Sequence, residues 1–241
     1  MTIRAILFDW DGTLVHATTD RIPAACAAVD EYARRHITPE AAPGDTERAF
    51  HAVFPERPGP ADPVAPTIAA ILGQAFTWLG WPSGANDVES AARRFFDVAS
   101  RGLDLLPDAR ALLASLHFRG YRLGVVSNSI FPGAYWQAAA ASLGIAGYLQ
   151  AFVTSADVGL AKPHPAPFRR ALAELTVDPH DALFVGDTPA TDIAGARAAG
   201  LRAVLLDRPG RRPEAAGYLT IRHLAGLAEI LGESISPRAG E

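Results

Sequence analysis

Residues 3–8 form a short, mostly apolar run that stops at Asp9-Trp10-Asp11-Gly12, the pattern of a buried strand ending in a turn. Four further runs repeat it, at 121–127, 151–155, 182–185 and 201–206. Between them, 107–118, 133–143, 165–175 and 189–199 are rich in Ala and Leu, several with Pro near the start and Gly soon after the end, which marks helices. Strands alternating with helices of this length predict an α/β fold of βαβ units, a parallel sheet covered on both faces.

Residues 16–103 break that rhythm. They show helical periodicity at 21–36, 67–80 and 87–101, no strand pattern, and a connector carrying Pro55, Pro58, Pro60, Pro63 and Pro66. The pattern predicts an all-helical insertion over 16–103, set into a core made of 1–15 and 104–233, with linkers near 15–20 and 102–106 and a loose tail at 234–241. Phe76, Trp78, Trp81, Phe95 and Phe96 fall at helix spacings expected in that insertion's own core, and Cys26 is expected as a small packed side chain.

The polar residues at the strand ends carry the chemistry. Asp9 and Asp11 follow the first strand, Ser127 and Asn128 close the second, Lys162 lies just beyond the third, and Asp187 and Asp192 follow the fourth. In a parallel sheet all the carboxyl ends share one edge, so residues more than 180 positions apart meet in one crevice. Carboxylates crowded in this way raise each other's pKa or recruit a cation, and an all-oxygen set with room for water and phosphate suits Mg2+.

Composition narrows the partners. With 22 basic residues against 26 acidic ones and no basic stripe, nothing favours a nucleic acid or a membrane surface. The segment 16–103 holds 8 arginines and 11 acidic residues, so it offers no basic face for a polyanion, and a compact substrate fits better. The lone Cys26 excludes an intrachain disulfide and a zinc site built on two thiolates. No apolar run reaches the ~18 residues of a spanning helix, and the opening stretch is too short for a secretory h-region, so a cytoplasmic setting is expected. Of the 22 basic residues 21 are arginine, and Lys162 is the only lysine. A compact ammonium kept where every other charge is a guanidinium points to a tight site.

Four segments together resemble the motifs of the haloacid dehalogenase-like hydrolases: Asp9-Trp10-Asp11-Gly12-Thr13-Leu14, then Ser127, then Lys162-Pro163, then Gly186-Asp187-Thr188-Pro189-Ala190-Thr191-Asp192, continued by Gly195-Ala196-Arg197-Ala198-Ala199-Gly200. The resemblance implies a Rossmann-like, doubly wound parallel-sheet core with an all-α cap, 16–103, after the first motif, and the 34 residues between Ser127 and Lys162 leave no space for a second cap. It further implies that Asp9 is the nucleophile, that Asp11 is the general acid and base, and that Ser127 and Lys162 hold the phosphoryl oxygens. Asp9, the backbone carbonyl of Asp11 and Asp187 would ligate Mg2+, with Asp192 as outer ligand or orienting partner. Gly12 would let the chain turn, Trp10 and Asn128 would offer backbone N–H groups to the phosphate, and Thr13 belongs to the same loop. His16 and Arg21, at the cap hinge, are candidate contacts to the leaving group.

The activity the resemblance implies is a Mg2+-dependent phosphatase hydrolysing a small phosphorylated metabolite through an aspartyl phosphate. Family dehalogenases typically carry Tyr in place of the second motif aspartate and use no metal, so Asp11 speaks against that activity. Family phosphonate hydrolases use a cap lysine, and 16–103 contains none. A phosphosugar mutase would use the same core residues. A non-catalytic phosphate-binding regulatory protein on the same scaffold is the alternative of another class.

Overall fold

The computed structural model describes residues 2–17, 21–54, 64–210 and 219–232. The first strand, β1 (Ala5–Phe8), is buried at every position. Two three-residue strands, β2 (Val15–Ala17) and β3 (Leu103–Leu105), flank four helices: α1 (Ile22–His36), α2 (Asp45–Val53), α3 (Ile68–Leu79) and α4 (Ala85–Ala99). The chain then alternates: α5 (Ala109–Phe118), β4 (Arg122–Ser127), α6 (Gly133–Ser142), β5 (Ala151–Thr154), the short α7 (Ser155–Val158), α8 (Ala166–Leu175) and β6 (Ala182–Gly186). A π-helical turn at Pro189–Ile193 leads into α9 (Ala194–Ala198), followed by β7 (Arg202–Leu206), β8 (Leu219–Ile221) and α10 (Leu227–Ile230).

Six strands form one sheet in the order β5-β4-β1-β6-β7-β8. Every pairing in it is parallel. Because side chains alternate along a strand, each strand feeds two cores. Phe8, Val125, Val185 and Leu206 pack with Leu112, Leu113 and Leu116 of α5 on one face. Leu7, Val126, Phe184 and Leu205 pack with Phe168, Leu172 and Leu175 of α8 on the other. The chain leaves β1 for β4 and β5 on one side and returns to β6 on the other, so β1 is where the strand order reverses. The carboxyl end of such a strand opens into a crevice, and Asp9 is the first residue beyond it.

The four helices between β2 and β3 share a third core of Cys26, Val29, Phe50, Leu72, Phe76, Phe95 and Phe96, to which Phe131 from the loop after β4 contributes. Truncating a fully buried ring such as Phe76 or Phe95 typically costs ~3–5 kcal/mol. Two backbone hydrogen bonds add to the junction: Ile68 N donates to Ile130 O (2.7 Å) and Ala65 N to Gly159 O (3.1 Å).

Several elements differ from the sequence pattern. The segment 16–103 was expected to hold no strand, yet β2 pairs antiparallel with β3, His16 facing Asp104, as a two-stranded ribbon where the helices leave and rejoin the sheet. Helix α2 lies where no helix was expected, and the stretch 189–199 begins as a wide π turn rather than a regular helix. Trp78, expected in the helical core, is 58% exposed, because α3 turns Phe76 inward instead. The prolines of the connector other than Pro66, and the tail at 234–241, lie outside the described residues. Among the described residues no helix is long and apolar enough to cross a membrane.

Candidate active site

The loop after β1 is held tightly against the sheet. Asp9 N donates to Val185 O (2.9 Å), while Leu14 N and Val15 N both donate to Trp10 O (2.9 and 3.0 Å). Gly12 sits at φ +79°, and a Cβ there would collide with the Asp187 carboxylate. Only glycine allows both that backbone and that approach. The loop therefore brings the end of β1 against the end of β6.

Lys162 lies between them with 2% of its surface exposed. Its Nζ donates to Asp9 Oδ1 (2.6 Å), to Asp192 Oδ1 (2.7 Å) and to Val126 O (2.9 Å). These use all three donors of an ammonium and leave no unsatisfied buried proton. Asn128 fixes the backbone of the same residue: Lys162 N donates to Asn128 Oδ1 (2.7 Å) and Asn128 Nδ2 donates to Lys162 O (3.0 Å). This side-chain clamp was not anticipated from the sequence, where Asn128 was expected to act through its backbone.

Asp192 stands on the π turn, where its Oδ2 accepts from Thr188 N (3.0 Å). A Cβ on Gly186 would meet its Cγ at 2.5 Å, so the end of β6 makes room for this carboxylate. Asp187 Oδ1 accepts from the Thr188 hydroxyl (2.9 Å). Carboxylate oxygens of Asp9, Asp187 and Asp192 all lie within 4.8 Å of one another.

Burial pushes Asp9 up to about 7; the Lys162 ammonium opposes this, while Asp192 and Asp187 add to it. Burial also raises Asp187, with Asp192 and Asp11 contributing in the same direction. For Lys162, burial alone would lower the pKa, but Asp192 and Asp9 outweigh it and hold the ammonium above its ordinary value. Three carboxylates thus share one ammonium, and two of them resist ionisation. That surplus of negative charge on oxygen ligands fits a divalent cation.

Above this cluster, between the helices and the sheet edge, lies a cavity of about 610 Å³. Asp11, Ser127 and Asn128 line it from the sheet side; Glu47, Phe50, His51, Phe54, Phe131 and Trp136 form much of the remaining wall. Asp11 is exposed and its carboxylate is outside the three-oxygen cluster. Trp10 also lines the cavity, its indole N–H buried without a partner among the described residues. Thr13 is buried, and its carbonyl faces Arg208 Nη2 at 3.5 Å. His16 is exposed on β2, and Arg21 directly precedes α1; neither lines the cavity, where Ile22 and Pro23 stand instead. The sequence signal overlooked is the spacing of Glu47, Phe50, His51 and Phe54 at i, i+3, i+4 and i+7, one face of a helix.

The sequence model of the haloacid dehalogenase-like hydrolases matches residues 3–200. Among curated proteins, the chain is similar to the phosphoglycolate phosphatase of Rhodospirillum rubrum, 34% identical over 246 residues that cover 95% of this chain and 91% of that one. It is also 38% identical to the phosphoserine phosphatase of Thermus thermophilus over 135 residues, 56% of this chain and about half (51%) of that protein's length. Among solved structures, a 2-haloacid dehalogenase from Pseudomonas syringae superposes with a TM-score of 0.67 at 27% identity, covering 96% of this chain and 99% of that one. A phosphatase from Thermococcus onnurineus shares the fold with a TM-score of 0.65 at 24% identity, over 96% and 99% of the two chains.

Proposed function

The chain belongs to the haloacid dehalogenase-like hydrolase family, and from that premise we propose that it is a Mg2+-dependent phosphatase of a small phosphorylated metabolite. The observation that carries this reading is the buried Lys162 ammonium bridging Asp9 and Asp192 while Asp11, two residues from Asp9, opens on to the cavity. A second aspartate beside the nucleophile is what ester hydrolysis needs and halide displacement does not, because an alkoxide leaves poorly unless it is protonated.

In this reading Asp9, Asp187 and the backbone carbonyl of Asp11, with Asp192 behind them, would hold Mg2+, which would supply positive charge against the phosphate dianion. Ser127 would hold a phosphoryl oxygen in line with Asp9, and Lys162 would turn one of its three donors from Asp9 Oδ1 to another phosphoryl oxygen. An Asp9 carboxylate oxygen attacks phosphorus, the ester P–O bond breaks, and Asp11 gives its proton to the leaving alkoxide. Asp11 then takes a proton from the water that attacks the aspartyl phosphate. The bond from phosphorus to Asp9 breaks, releasing inorganic phosphate and restoring the carboxylate. The helical segment 16–103 acts as a cap that shields the crevice and selects the leaving group. The absence of any second cysteine beside Cys26 supports a cytoplasmic setting.

The test is release of inorganic phosphate from phenyl phosphate by the full chain, with Mg2+ and with a chelator. Turnover that requires Mg2+ supports the reading. Interconversion of glucose phosphate isomers without phosphate release would make the protein a mutase, halide release from a 2-haloacid would make it a dehalogenase, and no turnover of any of the three would leave a binding protein.

A further inference from the structure

We propose that the alcohol released by this enzyme carries a positively charged amine, recognised by Glu47 and the aromatic rings around it. The inference rests on the phosphatase reading and names its substrate class: a phosphorylated amino alcohol.

The phosphoryl end of a substrate is fixed by Asp9, Ser127 and Lys162 at the sheet edge, so the leaving group projects into the cavity toward α2. That helix turns one face to it, with Glu47, Phe50 and His51, and Phe54 follows just past its end. Phe131 and Trp136 stand in the same wall. His51 is exposed, whereas Glu47 is half-buried and has no ion-pair partner among the described residues. No lysine or arginine is among the described residues that line the cavity, and its two acidic members are Glu47 and Asp11.

Each chemical class of leaving group meets this wall differently. A carboxylate-bearing alcohol, such as glycolate, would bring a second anion against the half-buried Glu47. A neutral alkyl group would remove water from Glu47 and give nothing in return. An ammonium pairs with the carboxylate and lies against ring faces, whose quadrupoles attract cations. The position of Glu47 is itself fixed by a buried carboxylate: Asp30 of α1 accepts from Gly44 N (2.7 Å) and Thr46 N (2.8 Å), anchoring the first turn of α2.

Phosphoethanolamine and phosphoglycolate have nearly the same size and differ at one end, ammonium against carboxylate. The experiment measures kcat/KM for both in the wild type, in Glu47→Gln and in Glu47→Lys, with phenyl phosphate as the separate readout of phosphatase chemistry. The expected result is at least a tenfold preference for phosphoethanolamine in the wild type, a roughly tenfold fall of that ratio in Glu47→Gln, and its inversion in Glu47→Lys, the scale of one charge contact. Preference of the wild type for phosphoglycolate, or a ratio unmoved by both substitutions, would overturn the proposal while phenyl phosphate turnover kept the phosphatase reading intact. If phenyl phosphate is not hydrolysed, calorimetric binding of the two esters to the wild-type protein applies the same criterion to the cavity alone.

Discussion

The Lys162 ammonium and the Asp192 carboxylate, 30 positions apart in sequence, meet at 2.7 Å with 2% of either side chain exposed. Burying such a pair is offset only if both charges are paired, and removal of one partner strands the other. In Asp192→Asn, Lys162 keeps Asp9 and the Val126 carbonyl but loses one of its two countercharges. We expect about 3 kcal/mol of destabilisation and a fall of ~10²-fold in kcat. Thermal melts and steady-state kinetics on the purified variant check both. Wild-type melting would show that the pair contributes no net stability.

Lys162→Arg keeps the charge in a chain that otherwise uses only arginine. The guanidinium is wider than an ammonium and cannot direct three donors to Asp9, Asp192 and Val126 from one nitrogen. Displacement of the phosphoryl group by ~1 Å is enough for a loss of ~10²-fold in kcat/KM. Kinetics near those of the wild type would mean that the single lysine has no special geometric role.

Asp9→Asn should abolish turnover while the protein stays folded, since an amide of the same shape cannot form the acyl phosphate. Circular dichroism and a phosphate-release assay on one preparation separate the two effects. Substantial residual activity in the folded variant would remove Asp9 from the nucleophile's role.

Burial pushes the Asp9 carboxyl up to about 7, against 3.8 for an ordinary aspartate. Between those values the folded chain holds a proton that the unfolded chain has lost, so this group makes the metal-free protein less stable as pH rises toward 7. Below pH 7 a cation must displace that proton, and above it the site is already ionised. The rise in melting temperature on adding a fixed concentration of Mg2+ should therefore be larger at about pH 8 than at about pH 6. Equal shifts at the two pH values would place the titrating group elsewhere.

Asp9, Lys162, Asp187 and Asp192 could be picked out from the sequence because each follows a strand, and a parallel sheet collects strand ends along one edge. The alternation of apolar runs and Ala-rich segments marked five of the six strands. The sixth, β8, is three residues long with Leu219 and Thr220 exposed, so it carries no apolar run to read. Helix α2 was faint for a different reason: the spacing of Glu47, Phe50, His51 and Phe54 is helical, but little else in the segment marks a helix. Only Thr46, Ala49 and Phe50 of its nine residues are buried, and its first turn is satisfied by Asp30, 16 positions upstream of Thr46. The side chain that clamps Lys162 was equally hidden, because Asn128 and Lys162 meet only after β4 and β5 have paired.

A chain whose other positive side chains are all guanidinium offers an amine-directed acylating reagent one side-chain target, and Lys162 is shut away beneath the cavity floor with its three donors engaged. Its rate of acylation is therefore a clock for opening of the site. In the closed molecule the clock stands nearly still; any motion that parts Lys162 from Asp9 and Asp192 starts it. Mass spectrometry of the one modified side chain would time that opening without a dye, an engineered cysteine or a known substrate, and would read how far a bound phosphate ester slows it.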